Sequence, residues 1–455
     1  MGILARMRLP LARCVAILLL AAFACAARAA TVARIDIRGL DETMARNVRD
    51  ALSLQQAVGR DVSARRLAVL MRAAEDEARG ALEPFGYYDP TITIARGGDG
   101  AAPVVTITDQ PGQPVRVRGF NVVVAGDGGR DADVRADIAG FQPRPGAVFA
   151  HAPYEAGKAR ISRDLAQHGY FDAELARHQV AVTRAAHAAD IDLAWTSGAR
   201  YAFGAANFSQ APEAIIRPQL LAKLVPWDPG DPYDQAQVDR LRQSLQALDY
   251  FGRIEVTPQP EAAQERRVPV GVQLTPARRS IYTAGLSYGT TSGGGVRLGV
   301  ERRYLNSRGH KALAQVDWAQ QRKTLTLQYR IPAFAWLDGW YTLGAQAADE
   351  QNDYIDTRRV EFVASRSGEL DRRLTVTASL HALRERWAYV TSARSAVVDY
   401  RYATFTYPAL QADYVDVDDR LFPRRGIAGS LLLRGGVRTL GSDATFAQVH
   451  ARASW

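Results

Sequence analysis

The sequence predicts three α+β modules in series, followed by a transmembrane antiparallel β-barrel. Three observations support this fold class. A pattern of helices and strands repeats about every 80 residues in the first half of the chain. From about residue 278, strands with alternating polarity follow one another almost without interruption. Residues 1–29 have the pattern of a secretory signal peptide.

The composition excludes several classes of protein. Of the 455 residues, 47% are hydrophobic and 9% are aromatic, so the chain can form hydrophobic cores and is neither disordered nor collagen-like. After residue 29, no run approaches the roughly 18 consecutive apolar residues that a membrane-spanning helix needs. The sequence therefore excludes a helical membrane protein.

Residues 1–29 are predicted to be removed on export. Arg6, Arg8 and Arg13 precede a short apolar run, which ends in the cleavage-site pattern Ala27-Arg28-Ala29. An uncleaved membrane anchor is disfavoured because the apolar run is short and no charged stop-transfer segment follows it.

Cleavage after Ala29 changes the chemistry of the chain. Both cysteines, Cys14 and Cys25, lie in the removed segment, so the mature chain has no disulfide, thiol nucleophile or cysteine metal site. Four arginines leave with it, and the formal charge falls from +9 to +5. This modest excess, spread over runs of mixed sign, does not favour nucleic-acid binding.

The repeat is clearest at the end of one long helix in each module. The helices are predicted at Ser63 to Leu82, Tyr154 to Gln167 and Tyr233 to Leu248. Each ends in a similar signal, namely Gly86-Tyr87-Tyr88-Asp89, Gly169-Tyr170-Phe171-Asp172 and Asp249-Tyr250-Phe251-Gly252. A strand precedes the helical part and two strands follow it, so the order is β-α-α-β-β, three times over. The predicted modules are residues 30–110, 111–197 and 198–276.

Residues 277–455 are predicted to form the barrel region. In the first strand, apolar residues alternate with polar or small ones: Tyr282, Ala284, Leu286 and Tyr288 against Thr283, Gly285, Ser287 and Gly289. Such strands fit a barrel with lipid outside and water inside. Aromatic residues near strand ends suit membrane interfaces, as at Trp318, Trp340, Tyr341 and Trp387. A soluble sandwich is the alternative, but whole polar faces of several strands carry charge.

Three such modules ahead of a barrel resemble the bacterial outer-membrane assembly proteins with polypeptide-transport-associated (POTRA) domains, and most of all the TamA family. Two barrel segments resemble family motifs. The first, a Gly-rich strand and a turn, includes Tyr304, Asn306, Gly309 and His310, and the second precedes a mid-barrel strand and includes Asp419, Pro423 and Gly426. The resemblance implies a location in the outer membrane, with the POTRA domains in the periplasm.

The chain departs from the family in two respects. The superfamily's Arg-Gly-Phe/Tyr signature belongs to a loop in the second half of the barrel. Here Arg118-Gly119-Phe120 lies in the second module, where we interpret it as a strand followed by a turn glycine, like Arg38-Gly39. The barrel region also provides about nine or ten strands, whereas the family has sixteen. We therefore expect a C-terminally truncated chain, and an intact mass from the native host exceeding that of residues 30–455.

The resemblance implies an assembly factor that helps to insert or translocate autotransporter-type barrels through a lateral seam. The seam strand would include Tyr282, Gly285, Ser287 and Gly289. The first module would bind an inner-membrane TamB-like partner, the clients would be outer-membrane β-barrel proteins, and the barrel would contact the lipid bilayer. No cofactor, nucleotide, nucleic acid or metal is expected, and the protein is not expected to be an enzyme.

Two other functions remain open. A polypeptide transporter of the two-partner secretion class would have two modules and a plugging N-terminal helix. A barrel pore or hydrolase could use Ser287, which lies in a G-x-S-x-G pattern, with a base among His310, His381 and His450. The serine lacks the strand-to-helix context of a hydrolase elbow. Asp416, Asp418 and Asp419 lack the rest of a calcium loop and suit a solvated turn.

Overall fold

A computed structural model describes residues 30–99, 102–290, 292–334, 337–351, 355–389 and 400–455. The predicted signal peptide, with Cys14 and Cys25, lies outside the described residues. The chain divides into two compact units, one up to Arg200 and one from Tyr201 onward.

The first module places two helices against one face of a small sheet. It begins with a short strand pair, β1 (Ala30–Thr31) and β3 (Asp61–Val62). The other elements are β2 (Arg34–Arg38), α1 (Glu42–Ala51), α2 (Ala64–Leu82), β4 (Thr91–Asp99) and β5 (Ala102–Gln110). The sheet order is β2-β5-β4, so β2 and β4 are its edges.

Side-chain caps fix where the two helices begin. The Asp41 carboxylate accepts a hydrogen bond from the Met44 amide at 2.9 Å, and the Ser63 hydroxyl accepts one from the Arg66 amide at 3.2 Å. Apolar residues of α2 then recur on one face, and Leu67, Leu70 and Ala74 are buried.

The second module repeats the architecture. Its elements are β6 (Arg116–Ala125), α3 (Ala132–Gly140), α4 (His151–Gln167), β7 (Glu174–Thr183) and β8 (Ala188–Thr196). The sheet order is β6-β8-β7, with β6 parallel to β8 and β7 antiparallel to it.

Gly119 is not a turn glycine, and that expectation was wrong. It lies inside β6 at a bulge, where the register with β8 shifts between Val117 and Gly119. A Cβ atom there would approach the Asp190 carboxylate to 2.6 Å, and Arg118 holds that carboxylate with an Nε–Oδ1 distance of 3.0 Å. A side chain at this position would have to displace the Asp190 carboxylate from Arg118. Gly39, by contrast, follows β2 with φ of 90°.

The third module contains β9 (Ala202–Gln210), α5 (Pro218–Ala222), α6 (Gln235–Ala247), β10 (Phe251–Pro258) and β11 (Arg267–Pro276). Its sheet order is β10-β11-β9. Phe203 stacks on Trp227 with ring centroids 4.3 Å apart. The centroid of the Tyr233 ring lies 4.8 Å from that of Phe203. These aromatic residues form the centre of its core.

The repeated signal after the long helices is a helix stop. Gly86, Gly169 and Asp249 all have positive φ, the left-handed conformation that ends a helix. At the first two sites the amide of the following tyrosine turns back to the helix end, with Tyr87 N to Leu82 O at 3.3 Å and Tyr170 N to Leu165 O at 2.9 Å. At the third site a non-glycine residue adopts this conformation.

The barrel region forms one ten-stranded antiparallel sheet in chain order, β12 to β21, which confirms the predicted fold class. The strands are β12 (Ser280–Gly289), β13 (Gly293–Arg302), β14 (Lys311–Ala319), β15 (Arg322–Pro332), β16 (Leu337–Gln351), β17 (Ile355–Glu369), β18 (Leu374–Tyr389), β19 (Arg401–Val417), β20 (Gly426–Gly436) and β21 (Phe446–Ser454).

One face of this sheet, here called the outer face, exposes large apolar side chains. Leu286 is 90% exposed, Tyr282 75% and Phe362 59%, and residues two apart along a strand share a face. Trp318 and Tyr341 are exposed on the outer face near opposite strand ends. Trp340 is 6% exposed and lies on the other face, where Trp387 also lies opposite Thr357, so neither belongs to an interfacial girdle.

Among the described helices, none has the length and apolar character needed to cross a bilayer.

Candidate functional site: the edge strand and its junction with the third module

The predicted seam strand lies at an edge of the ten-stranded sheet. Within the described residues, β12 pairs with β13 on one side, and its other side carries unpaired backbone N–H and C=O groups. Tyr282 projects from the outer face, whereas Gly285, Ser287 and Gly289 alternate onto the inner face. An unpaired edge of this kind is a template for pairing with another strand.

The hairpin that joins β12 to β13 is rich in glycine. Gly293, Gly294 and Gly295 lie opposite Gly289, Tyr288 and Ser287. A Cβ atom on Gly295 would lie 2.7 Å from the Ala319 Cβ, so that glycine is required by close packing. The nearest atom to a Cβ on Gly285 would be 3.9 Å away, so that position has room for a side chain.

The edge strand is also short. β12 has 10 residues, whereas β16 to β19 have between 15 and 17. Fewer ladder hydrogen bonds and small inner-face side chains give β12 a weaker hold on a neighbour than the long central strands have.

The turn between β13 and β14 docks on the third module. Tyr250 of the repeated signal is fully buried, and its hydroxyl donates a hydrogen bond to the carbonyl of Gly309. The Arg303 guanidinium contacts the Asp249 carboxylate at 2.8 Å, and the Arg217 amide donates to the Ser307 carbonyl at 3.0 Å. The first hairpins of the sheet are therefore attached to the third module.

The family-like residues of this turn each have a structural role. The Asn306 carboxamide accepts hydrogen bonds from the amides of Arg308 and His310, at 3.0 and 3.4 Å. Gly309 has φ of 75°, and a Cβ there would meet the Tyr250 hydroxyl at 2.7 Å. The Tyr304 carbonyl accepts a hydrogen bond from Arg279 Nε at 3.1 Å. Burial raises the pKa of Tyr250, so its hydroxyl stays protonated and donates.

The second family-like segment is a turn between β19 and β20, at the same end of the sheet. The Asp419 carboxylate accepts hydrogen bonds from the amides of Leu421 and Phe422, which lowers its pKa. Asp418 does the same for residues 424 and 425. Pro423 lies at the apex, and Gly426 begins β20 with φ of 134°. These carboxylates organise a turn, as expected for a solvated connection.

The inner face contains a hydrogen-bonded group that the sequence did not reveal. His381 Nε2 lies 2.9 Å from the Ser379 hydroxyl, and His381 Nδ1 lies 2.8 Å from Glu361 Oε1. The His381 ring stacks on Tyr407 with centroids 4.7 Å apart. Ser287 is not part of this group, because five strands separate β12 from β18. The sequence signal that could have indicated this group is the i, i+2 spacing of Ser379 and His381, which places both side chains on one face of a strand.

One other group of potential ligands occurs in the second module. Asp131, Asp133 and His168 bring carboxylate and ring nitrogen atoms within 4.8 Å of one another. The Asp131 carboxylate already caps α3 by accepting from the Asp133 amide at 3.0 Å. The Asp131 carboxylate is thus a helix cap, and the same carboxylate lies 3.2 Å from His168 Nδ1.

Comparisons with known proteins agree with this architecture. Residues 34–109 match the family described as POTRA domain TamA domain 1, and residues 201–276 match POTRA, the surface antigen variable number repeat. The crystal structure of BamA from Haemophilus ducreyi lacking POTRA domains 1–3 is 13% identical with a TM-score of 0.56, covering 74% of this chain. This chain spans 66% of that one.

CdiB from Acinetobacter baumannii is a weaker match, 10% identical with a TM-score of 0.41. The matched region covers 75% of this chain and 65% of the CdiB chain. The fold and the domain matches together define an outer-membrane β-barrel protein with periplasmic POTRA domains. Its first module is a POTRA domain of the TamA type.

Proposed function

We propose that this protein is an outer-membrane assembly factor that helps autotransporter-type β-barrel proteins to insert or translocate. The observation that carries the proposal is the position of β12, a short, glycine-containing edge strand whose neighbour β13 leads into a turn that contacts the third module. The outer edge of β12 meets a closing strand of the barrel, and this weak seam opens to let a client strand pair with the exposed backbone.

The seam is tested by site-specific photo-crosslinking in cells that express an autotransporter client. A photoreactive residue at Leu286 on β12 is expected to form client adducts during assembly. The matched control is Leu325 on β15, which is also exposed on the outer face but belongs to a strand paired on both sides. Equal adduct yields at both positions, or none at Leu286, would contradict the proposal.

We further propose that the first module binds an inner-membrane TamB-like partner through a sheet edge. β4 is an edge strand of nine residues, and Thr91, Thr93 and Ala95 are exposed along it. An exposed edge can accept an added strand from a partner.

A photoreactive residue at Thr93 is expected to crosslink to the partner in membranes that contain both proteins. The control is Gln179, an exposed residue of β7, which is an edge strand of the second module. Adducts at Gln179 in the absence of adducts at Thr93 would move the contact to the second module and overturn this assignment.

A further inference from the structure

The outer face of the sheet carries a basic cluster at the end remote from the third module. Since β12 begins beside that module and the strands run antiparallel, β17 begins and β18 ends at the far end. Four cations lie there on the outer face, close to these strand ends: Lys323, Arg358, Arg384 and Arg386. We call them the basic cluster.

Strand register fixes the cluster's position. Trp318, Lys323, Asp349, Arg358 and Arg386 lie directly opposite one another across five neighbouring strands. Trp318 is 58% exposed, which places the whole row on the outer face. Arg384 is exposed one row closer to the third module, opposite Val360, which is itself 44% exposed.

The cluster has more positive than negative charge. The Arg358 guanidinium contacts Asp349 at 2.9 Å, and Arg386 contacts Asp356 at 3.4 Å. With four cations and two carboxylates, the group has a net charge of +2. Arg358 and Arg386 lie in directly opposed positions, where like charges destabilise a strand pair, and the Asp349 and Asp356 carboxylates offset part of this repulsion.

An apolar groove leads away from the cluster along the outer face. It is lined by Val316, Leu325, Ala347 and Val360, with Trp318, Lys323, Asp349 and Arg358 at its charged end. Ala347 leaves a depression between larger neighbours, and Lys323 Nζ lies 4.9 Å from the centre of the Trp318 ring. A groove with an apolar floor and a cationic rim matches an acyl chain that carries a phosphate at its head.

We propose that this surface binds a phosphate-bearing lipid of the outer leaflet. The lipid phosphate lies between Arg358, Arg384 and Arg386, and one acyl chain lies in the apolar groove. Charge complementarity selects an anion, and the adjoining groove selects a lipid over free phosphate. The inference requires the outer-membrane location but not the assembly role.

The test measures lipid binding to the full chain in detergent micelles by native mass spectrometry. The probes are a phosphorylated glycolipid with several acyl chains and the same glycolipid after removal of its phosphates. The phosphorylated probe is expected to bind about tenfold more tightly, equivalent to about 1.4 kcal/mol. Inorganic phosphate at millimolar concentration is expected not to displace it.

Variants of the basic cluster distinguish binding at this site from non-specific lipid binding to the outer face. Substituting Arg358, Arg384 and Arg386 with Gln is expected to abolish the preference for the phosphorylated probe. Arg366→Gln is the control, because Arg366 lies opposite Tyr341 and Ala378 on the outer face near the other end of the sheet. It is expected to leave the preference unchanged.

A loss of preference in the triple variant could also follow from misfolding. Asp349→Asn is therefore included as a variant that should bind the phosphorylated probe more tightly. It releases Arg358 from its ion pair and raises the net charge of the cluster, so the phosphorylated probe should bind a fewfold more tightly. Unchanged preference in the triple variant, weaker binding in Asp349→Asn, or displacement by free phosphate would each overturn the proposal. Because no client protein is present, these outcomes are independent of the assembly function.

Discussion

Asp109 shows how the surroundings of one residue set its chemistry. It is the second-last residue of strand β5 and is 1% exposed, and neither carboxylate oxygen has a hydrogen-bond partner. Burial raises its pKa from 3.8 to about 6. The folded protein therefore binds this proton more tightly than the unfolded chain does, and stability falls as the pH rises from about 4 to about 6.

Asp109→Asn should stabilise the first module at neutral pH. A shift of this size corresponds to about 3 kcal/mol of penalty above pH 6, of which the neutral amide recovers a part. In the full chain, we expect the melting temperature of the transition that unfolds the first module to rise by a few degrees at pH 8 and to change little at pH 4. Asp76→Asn, at an exposed position of α2, is the control. A variant less stable than wild type at pH 8 would contradict this account.

Ser379 resembles a catalytic serine in its contacts with His381 and Glu361, but we predict that it is not a nucleophile. The strands beside it on both sides are paired, so their amides are engaged in the ladder and are not free to stabilise an oxyanion. A fluorophosphonate probe is expected to label neither Ser379 nor Ser287. Labelling that disappears in Ser379→Ala would instead favour the hydrolase hypothesis.

At the scale of elements, the repeated aromatic signal joins successive modules. Tyr88 is buried in the core of the second module, and its hydroxyl lies 2.7 Å from His151 Nε2. Burial raises the pKa of Tyr88 to about 12. Tyr250, at the position of its signal that matches Tyr87, connects the third module to Gly309 in the turn between β13 and β14. The same helix stop thus ends one element and positions the next.

The junction at Tyr250 yields a prediction for the attachment of the sheet. Gly309→Ala should loosen it, because the added Cβ would meet the Tyr250 hydroxyl and φ at this position is positive. We expect faster protease cleavage between β11 and β12, with the barrel region itself still folded. Gly294→Ala is the control, since a Cβ there has open space. Equal cleavage rates in both variants would show that the junction does not depend on this contact.

At the scale of the whole molecule, the division at Arg200 has a thermodynamic consequence. The first two modules have their own hydrophobic cores and share the Tyr88 contact, so they should fold without the rest of the chain. A protein of residues 30–200 is expected to melt within a few degrees of the corresponding transition in the full chain. A large fall in its melting temperature would show that the second unit supports the first.

Particular residues show which features of the structure could be predicted from the sequence. The repeated helix stops, the alternation of Tyr282 with Thr283 and the strand count were predicted correctly, because each depends on neighbours in the chain. Gly119 was misassigned, since it lies at a bulge in the pairing of β6 with β8, beside Asp190, 71 residues away. The inner-face group at His381 was missed for the same reason, because Glu361 reaches it from a neighbouring strand.

The sequence by itself determined the three α+β modules and the alternating strands, because periodicity and turn signals act over a few residues. The tertiary structure alone decided which groups meet. It placed β12 at an edge, attached the turn between β13 and β14 to Tyr250, buried Asp109 without a partner and aligned Arg358 opposite Arg386. Strand register and domain packing join residues that are distant in the chain, and no local pattern records those contacts.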